Sequence, residues 1–167
     1  MRKLLSFISF TMICIFVSAQ VSKTIDVSTA GTLSTLLTDN EMSTITNFTI
    51  TGNLDKRDFW FIRDKIPLLT NLNIEQVNIK EYIEDSEKFV ENQLPRAAFY
   101  ECMNLKDIKL PNSISAINTQ SFRACKSLTN INIPNSLNAI EPDAFLYCEK
   151  LLEINVDNGN QFYTSLN

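Results

Sequence analysis

The chain contains no histidine, and it has only three glycines, at positions 31, 52 and 159, among its 167 residues. Without histidine there is no Ser-His-Asp or Cys-His nucleophile system, no His-ligated zinc site and no H-E-x-x-H metalloprotease. Three isolated glycines cannot form the loops that hold phosphates in P-loop and dinucleotide-binding proteins. The most recognisable enzyme classes are therefore excluded, and we expect no catalytic residues, no cofactor and no metal.

Charged residues make up 20% of the chain, hydrophobic residues make up 44%, and the formal net charge is −4. This balance is typical of one folded globular unit, not of a disordered chain or a polytopic membrane protein. An acidic protein is repelled by phosphate backbones and by anionic membrane surfaces. We therefore expect no nucleic-acid partner.

Residues 1–19 have the features of a secretory signal peptide. Arg2 and Lys3 precede an apolar run over residues 4–17, and the small residues Val17 and Ala19 stand where a cleavage site requires them. The run is shorter than the roughly 20 residues of a membrane-spanning helix, so cleavage after Ala19 is preferred over a membrane anchor. The prediction is a secreted or cell-surface protein with no membrane insertion after cleavage, whose 13 basic and 19 acidic residues give a net charge of −6.

A repeat of 23 residues organises the second half of the chain. Residues 99–121, 122–144 and 145–157 align without a gap, and eight columns match. The columns present in all three units include Phe99, Phe122 and Phe145; Cys102, Cys125 and Cys148; Leu105, Leu128 and Leu151; and Ile108, Ile131 and Ile154. One such unit cannot bury its own apolar face, so the period predicts units that stack on one another.

Within each unit, the pattern L-x-x-I-x-[LIV] predicts a short strand with one buried face. Pro111 and Pro134 end the strand, because proline donates no backbone hydrogen bond. The pattern or a degraded form of it begins at residues 45, 69, 105, 128 and 151. We therefore predict five strands on one face, with an extra half-coil inserted between the second and the third.

Three segments outside these strands also have local signals. The leucines of residues 31–39 have helical spacing and predict an N-terminal cap. Residues 55–66 predict a helix that buries Phe59, Ile62 and Ile66 and ends before Pro67. The acidic insert at residues 80–96 is expected to be an exposed loop or a short helix.

The pattern F-x-x-C-x-x-L-x-x-I-x-[LI]-P-x-S-[IL]-x-x-I resembles the BspA-like leucine-rich repeats, the Treponema type with a period of 23 residues. The likeness covers about Val21 to Asn167, because the segment before the repeats is similar to the leader that often precedes them in exported proteins. The family occurs mainly in bacterial secreted and surface proteins. Its members include adhesins, so the motif specifies an architecture and not an activity.

The resemblance implies an α/β leucine-rich repeat solenoid with parallel strands on one face, irregular coil and short helices on the other, and a helical N-terminal cap. The predicted parts are a signal peptide (1–19), a cap with degenerate repeats and the insert (20–98), and 23-residue repeats with the last incomplete (99–167). The last coil lacks a polar cap. Three explanations stay open: a longer protein, a tail folded over the end, or self-association there.

The aromatic and sulfur side chains are assigned to the interior. Adjacent strands are close enough for a disulfide between neighbouring coils, but we prefer a column of buried, unpaired thiols at Cys102, Cys125 and Cys148. The phenylalanine column shares the register of the apolar columns and is therefore predicted to be core. Trp60 lies off the helical face and is predicted to pack under a neighbouring loop.

Three pairs of carboxylates are close enough in sequence to be considered for acid and base chemistry. They are Asp55 with Asp58, Glu84 with Asp85, and Glu141 with Asp143. All lie in stretches that are typical of turns or exposed faces, with no aromatic cleft around them. The sequence therefore predicts that the protein is not an enzyme.

The solvent-facing side of the strands is the predicted binding surface, since stacked strands present it as one continuous face. Its central row is Thr49, Asn73, Lys109, Asn132 and Asn155. Short polar side chains suit broad contact with a protein or glycan better than a deep small-molecule pocket. We expect non-catalytic binding, for example adhesion. The alternative is a structural or presentation module, or a fragment of a longer surface protein whose partner-specific region lies elsewhere.

Overall fold

The computed structural model describes residues 19–165, which form mostly strands with few helices. The strands are β1 (Ser22–Val27), β2 (Asn47–Leu54), β3 (Asn71–Ile79), β4 (Tyr82–Glu84), β5 (Glu87–Phe89), β6 (Gln93–Leu94), β7 (Asp107–Lys109), β8 (Ala116–Ile117), β9 (Asn130–Ile133), β10 (Ala139–Ile140) and β11 (Glu153–Val156). The helices are α1 (Asp39–Thr44), α2 (Lys56–Lys65) and a 3-10 helix, Leu33–Thr35. Within residues 19–165 no helix has the length and apolar character to cross a membrane. The predicted signal peptide, apart from Ala19, lies outside the described residues.

Parallel strands from successive repeats pair in register on one face of the molecule. One sheet has the order β1-β2-β3-β7, and β9 pairs with β11 in a second, two-stranded sheet. Between β7 and β9 no strand pairing is present among the described residues, and the link is made by Thr129, whose amide and hydroxyl both donate to the Lys106 carbonyl at 3.2 Å. All five predicted strands are therefore confirmed. The additional strand, β1, was not predicted, because Lys23 occupies one of its inward positions, where it pairs with Glu41.

A second ladder runs along the other side of the repeats. Strands β6, β8 and β10 pair in parallel, so that Leu94, Ile117 and Ile140 form one column. The turns that follow are linked between coils as well, since the Phe99 amide donates to Ser121 and the Phe122 amide donates to Ala144. Each repeat is thus held to the next at three places around its circumference.

The core is made of the repeated apolar columns. Phe99 stacks on Phe122, and Phe122 stacks on Phe145, with ring centroids 5.4 Å apart in both pairs. Phe99 and Phe122 are fully buried, as is the strand column of Leu105 and Leu128. The prediction that the phenylalanine column is core is confirmed at Phe99 and Phe122, while Phe145 is half-buried at the end of the stack.

The predicted helix over residues 55–66 is confirmed as α2, with Phe59, Ile62 and Ile66 buried. Its N-terminus has a capping box, in which the Asp55 side chain accepts a hydrogen bond from the backbone while the Asp58 side chain accepts one from the Asp55 amide. The helix packs beside β2 and places its first turn under the insert.

The insert is a β-hairpin, so the expectation of a loop or a short helix was wrong. Strands β4 and β5 pair antiparallel across a two-residue turn at Asp85 and Ser86. Both turn residues have positive φ, 48° and 71°, which is the conformation that tight hairpins require.

The N-terminal cap differs from the predicted helix. Of the leucines in residues 31–39, only Leu33 lies in a helical element, the 3-10 turn Leu33–Thr35, where it is buried. A separate short helix, α1, begins at a capping box between Thr38 and Glu41. The edge of the sheet at the N-terminal end is formed by the strand β1.

Candidate binding face

The sheet register brings the predicted binding residues into two aligned groups. Thr49 lies opposite Asn73, and Asn73 lies opposite Lys109. In the other sheet, Asn132 lies opposite Asn155. The break between β7 and β9 separates the two groups. The row was predicted to be continuous, but it is interrupted once, at this break.

The same register adds a residue that sequence reasoning missed. Thr24 on β1 lies opposite Thr49 and extends the row to the edge of the sheet. The signal that could have found it is the polar-apolar alternation from Thr24 to Val27, in which Ile25 and Val27 point inward. Lys23 interrupted that alternation.

Side chains of the row have free hydrogen-bonding capacity. Lys109, Asn132 and Asn155 are exposed, while Thr49 and Asn73 are half-buried. The Asn73 side-chain oxygen accepts a hydrogen bond from the Glu75 amide at 3.0 Å, and the Asn132 amide donates to Asp157 at 2.7 Å. Lys109 has no ion-pair partner among residues 19–165. Each of these groups can therefore contact a ligand without breaking the fold.

A neighbouring row on the same face is partly satisfied within the protein. The Asn71 amide donates to the Asn47 side-chain oxygen at 2.6 Å, and the Asn47 amide donates to the Ser22 hydroxyl at 3.4 Å. Asp107 continues this row beside Lys109. Because its amides bond to each other, this row stiffens the surface and has less capacity for a ligand than the row that contains Lys109.

The three carboxylate pairs lie in two kinds of environment, one buried and one at the surface. Asp55 and Asp58 are buried at the start of α2, where Asp58 accepts from the amides of Gly31 and Leu33. Burial raises the pKa of Asp58, and these backbone donors oppose the rise. The other two pairs lie on the surface, with Glu84 bonded to Lys56 and Asp143 placed 3.6 Å from Arg123. Asp55 and Asp58 therefore cap α2, and Glu84 and Asp143 pair with basic side chains.

The cysteine column is a set of unpaired thiols. Cys125 is buried, and Cys102 and Cys148 are half-buried. The Cys125 thiol donates to the Phe99 carbonyl, and the Cys148 thiol donates to the Phe122 carbonyl, both at 3.0 Å. Burial raises the pKa of Cys102 to about 12 and raises the pKa of the other two thiols. Cys125 and Cys148 therefore link adjacent coils, and the raised pKa makes all three thiols poor nucleophiles.

Trp60 packs against the hairpin, as predicted. Its ring meets Phe89 edge-on with centroids 6.1 Å apart, and its indole N–H donates to the Arg96 carbonyl at 3.3 Å. The Lys56 ammonium lies 3.7 Å from the Trp60 ring centroid and also bonds to Glu84 on β4. Both contacts secure the hairpin on α2, so Trp60 is a structural residue.

Residues 92–165 match the model of a family described as a BspA type leucine-rich repeat region (6 copies). The repeats of residues 92–165 belong to this family. Residues 20–91 lie outside the matched range. The number six describes the family and is not a count of the repeats in this chain. The matched region of BspA-type repeats includes the strands from β6 to β11. It therefore contains three of the five predicted binding residues.

A crystal structure of a leucine-rich cell surface protein from Faecalibacterium prausnitzii is similar to the chain, with 15% sequence identity and a TM-score of 0.44. The similarity covers 86% of this chain and 45% of that protein, so the chain spans less than half of its length. No curated protein matches the chain.

Proposed function

We propose that the protein is exported and acts by non-catalytic binding of a protein or glycan at the face that contains Thr49, Asn73, Lys109, Asn132 and Asn155. In this proposal the BspA-type repeats and the degenerate repeats before them form one solenoid, β1 and α1 cap its N-terminal end, and adhesion is the biological outcome. The observation that carries it is the row of polar side chains in register, three of them exposed.

Export is supported by the apolar run and the small residues before position 20. Surface or secreted location agrees with the family to which the repeats belong. A surface repeat protein that holds its ligand-facing groups on hydrogen-bonded strands keeps them fixed. Here β2 and β3 are paired at both edges, and β7, β9 and β11 are each paired at one. Fixed groups lose little conformational entropy when a ligand binds.

The chemistry of the face indicates the type of contact. Among the outward positions of β2, β3, β7, β9 and β11 there is no aromatic residue and no arginine. Those residue types dominate tight protein interfaces. The face therefore fits a ligand that presents many hydroxyl, amide or carboxylate groups, and affinity would come from many weak hydrogen bonds along the row.

The test is binding of the purified chain to arrays of glycans, mucin and matrix proteins. Replacing Lys109, Asn132 and Asn155 together by glutamate is expected to abolish the signal, because three negative charges displace donors and repel an acidic ligand. The matched control replaces Lys126, Asn112 and Asn138 by glutamate, which makes the same charge change at exposed positions off the face. Binding that survives the first triple substitution, or is lost equally in the control, would contradict the proposed face.

A further inference from the structure

The end of the stack at β11 exposes apolar residues that are buried in earlier coils. Ile154 pairs in register with Ile131, and both continue the column of Ile108. Ile108 and Ile131 are 3% and 1% exposed, whereas Ile154 is 43% exposed. Among residues 19–165, no strand pairs with β11 on its outer edge. For Ile154 to be as buried as Ile108 and Ile131, another group must therefore cover this end.

The rim of the same coil carries a leucine where earlier coils carry polar residues. Leu152 is 85% exposed and occupies the column of Lys106 and Thr129, both of which are exposed. A coil stacked on β11 would leave Leu152 uncovered, since stacked coils leave Lys106 and Thr129 uncovered. Phe162, in the segment after β11, is 64% exposed nearby in sequence. A partner that covers Leu152 must therefore reach beyond the footprint of one repeat.

The surface around Ile154 and Leu152 is concave and mixed in character. A cleft of about 600 Å³ is lined by Ile133, Ile140, Tyr163 and the residues of β11. The Ser165 hydroxyl accepts a hydrogen bond from the Val156 amide at 2.8 Å, so the segment after β11 blocks one end of the strand edge. The edge beside Leu152 and Ile154 is left accessible.

The charges next to the apolar centre are of opposite sign. Lys150 and Glu153 stand on either side of Leu152, and both are exposed. Neither forms a salt bridge within residues 19–165, whereas the neighbouring Glu149 is paired with Lys126 at 2.9 Å. A surface with an apolar centre, one positive flank and one negative flank is complementary to itself under a two-fold rotation.

We propose that two copies of the chain associate end to end through this surface. A two-fold axis near Leu152 sets the β11 edges antiparallel, packs Leu152 against Leu152 of the second copy with Ile154 flanking that contact, and places each Lys150 beside Glu153 of the second copy. Such an interface closes at two copies and leaves the row that contains Lys109 free on both. The pair would then present two binding faces, which raises the avidity for a repetitive ligand.

The test is the concentration dependence of molecular mass, measured by sedimentation velocity on the chain purified from the exported fraction. The expected result is a reversible dimer. Leu152→Lys restores the residue type found at position 106 and is expected to raise the dissociation constant about 30-fold or more, as for a central interface residue. Leu36→Lys, at an exposed leucine of the N-terminal end, is the matched control and is expected to leave it unchanged.

A charge exchange distinguishes this arrangement from general stickiness of an apolar end. Lys150→Glu and Glu153→Lys are each expected to weaken the dimer, and the double exchange is expected to restore it, because the reciprocal pairs are re-formed. A monomer at all concentrations, a dimer that survives Leu152→Lys, or a double exchange no better than the single ones would each overturn the proposal. Binding of a different protein at this end by a monomeric chain would overturn it as well.

Discussion

Left-handed backbone positions recur at the repeat period without glycine, and they predict a stabilising substitution. Ala97, Gln120 and Asp143 have φ of 54°, 61° and 61°, and a second column has the same conformation at Glu101, Ala124 and Tyr147. A residue with a Cβ in this region costs roughly 1–2 kcal/mol relative to glycine. Gln120 is the clearest position for a test, because it is half-buried in a turn and has no side-chain hydrogen bond among the described residues.

Gln120→Gly is expected to raise the free energy of unfolding by about 0.5–1 kcal/mol. The relief of strain, roughly 1–2 kcal/mol, is reduced by about 0.5–1 kcal/mol because glycine makes the unfolded chain more flexible. Gln120→Asn is expected to give part of the gain, since asparagine tolerates the left-handed region better than glutamine does.

The assay is equilibrium unfolding in urea, with the midpoint and slope compared between variants. Thr119→Gly is the matched control, since Thr119 is an exposed neighbour outside the positive-φ positions, and it is expected to lose about 0.5–1 kcal/mol. If Gln120→Gly loses as much stability as Thr119→Gly, the left-handed turn is not a source of strain and the reasoning fails.

Three further predictions rest on buried or paired groups. Burial raises the pKa of the three thiols, to about 12 for Cys102, so iodoacetamide at pH 8 should modify them slowly in the native protein and rapidly in urea. Equal rates in both states would contradict the buried column. The pKa of Glu41 is lowered to about 2, chiefly by its hydrogen bond with Lys23. This pairing therefore stabilises the fold above the unfolded pKa near 4.5, and the stabilisation is lost as the pH falls towards 2. An NMR titration of Glu41 should show the low midpoint, and Lys23→Met should raise that midpoint. Lys56→Ala should remove about 2 kcal/mol of stability and accelerate hydrogen exchange in residues 82–89, whereas Lys56→Met, which keeps the packing on Trp60, should cost less.

Much of the repeat architecture could be predicted, because each apolar column occurs in more than one repeat of the sequence. Ile108, Ile131 and Ile154 repeat at 23 residues, and their partners on the strand fall two residues away, so period and alternation agree. The same redundancy placed the phenylalanine column in the core and the thiols beside it. A periodic pattern averages over local exceptions and is therefore robust.

Elements that occur once were harder to predict. The strand β1 has a lysine at an inward position, and only its pairing with Glu41 on α1 makes that position acceptable. The hairpin of the insert turns at Asp85 and Ser86 without the glycine that marks most tight turns. In both cases the stabilising contact is with a distant segment, so local sequence did not indicate it.

The row of outward polar residues was predictable in position but not in continuity. Alternation along each strand identified Thr49, Asn73, Lys109, Asn132 and Asn155 as outward, and the register aligns them within each sheet. The interruption between β7 and β9 depends on the geometry of two coils together.

The most direct test of the central claim is a hydrogen-exchange footprint of the chain with the partner that the arrays detect. Non-catalytic binding at the predicted face requires slower exchange in residues 105–110 and 128–133 when the partner is bound, with the partner recovered unaltered in mass. Protection confined to the hairpin at residues 80–96, or a partner that is cleaved during the experiment, would contradict the account.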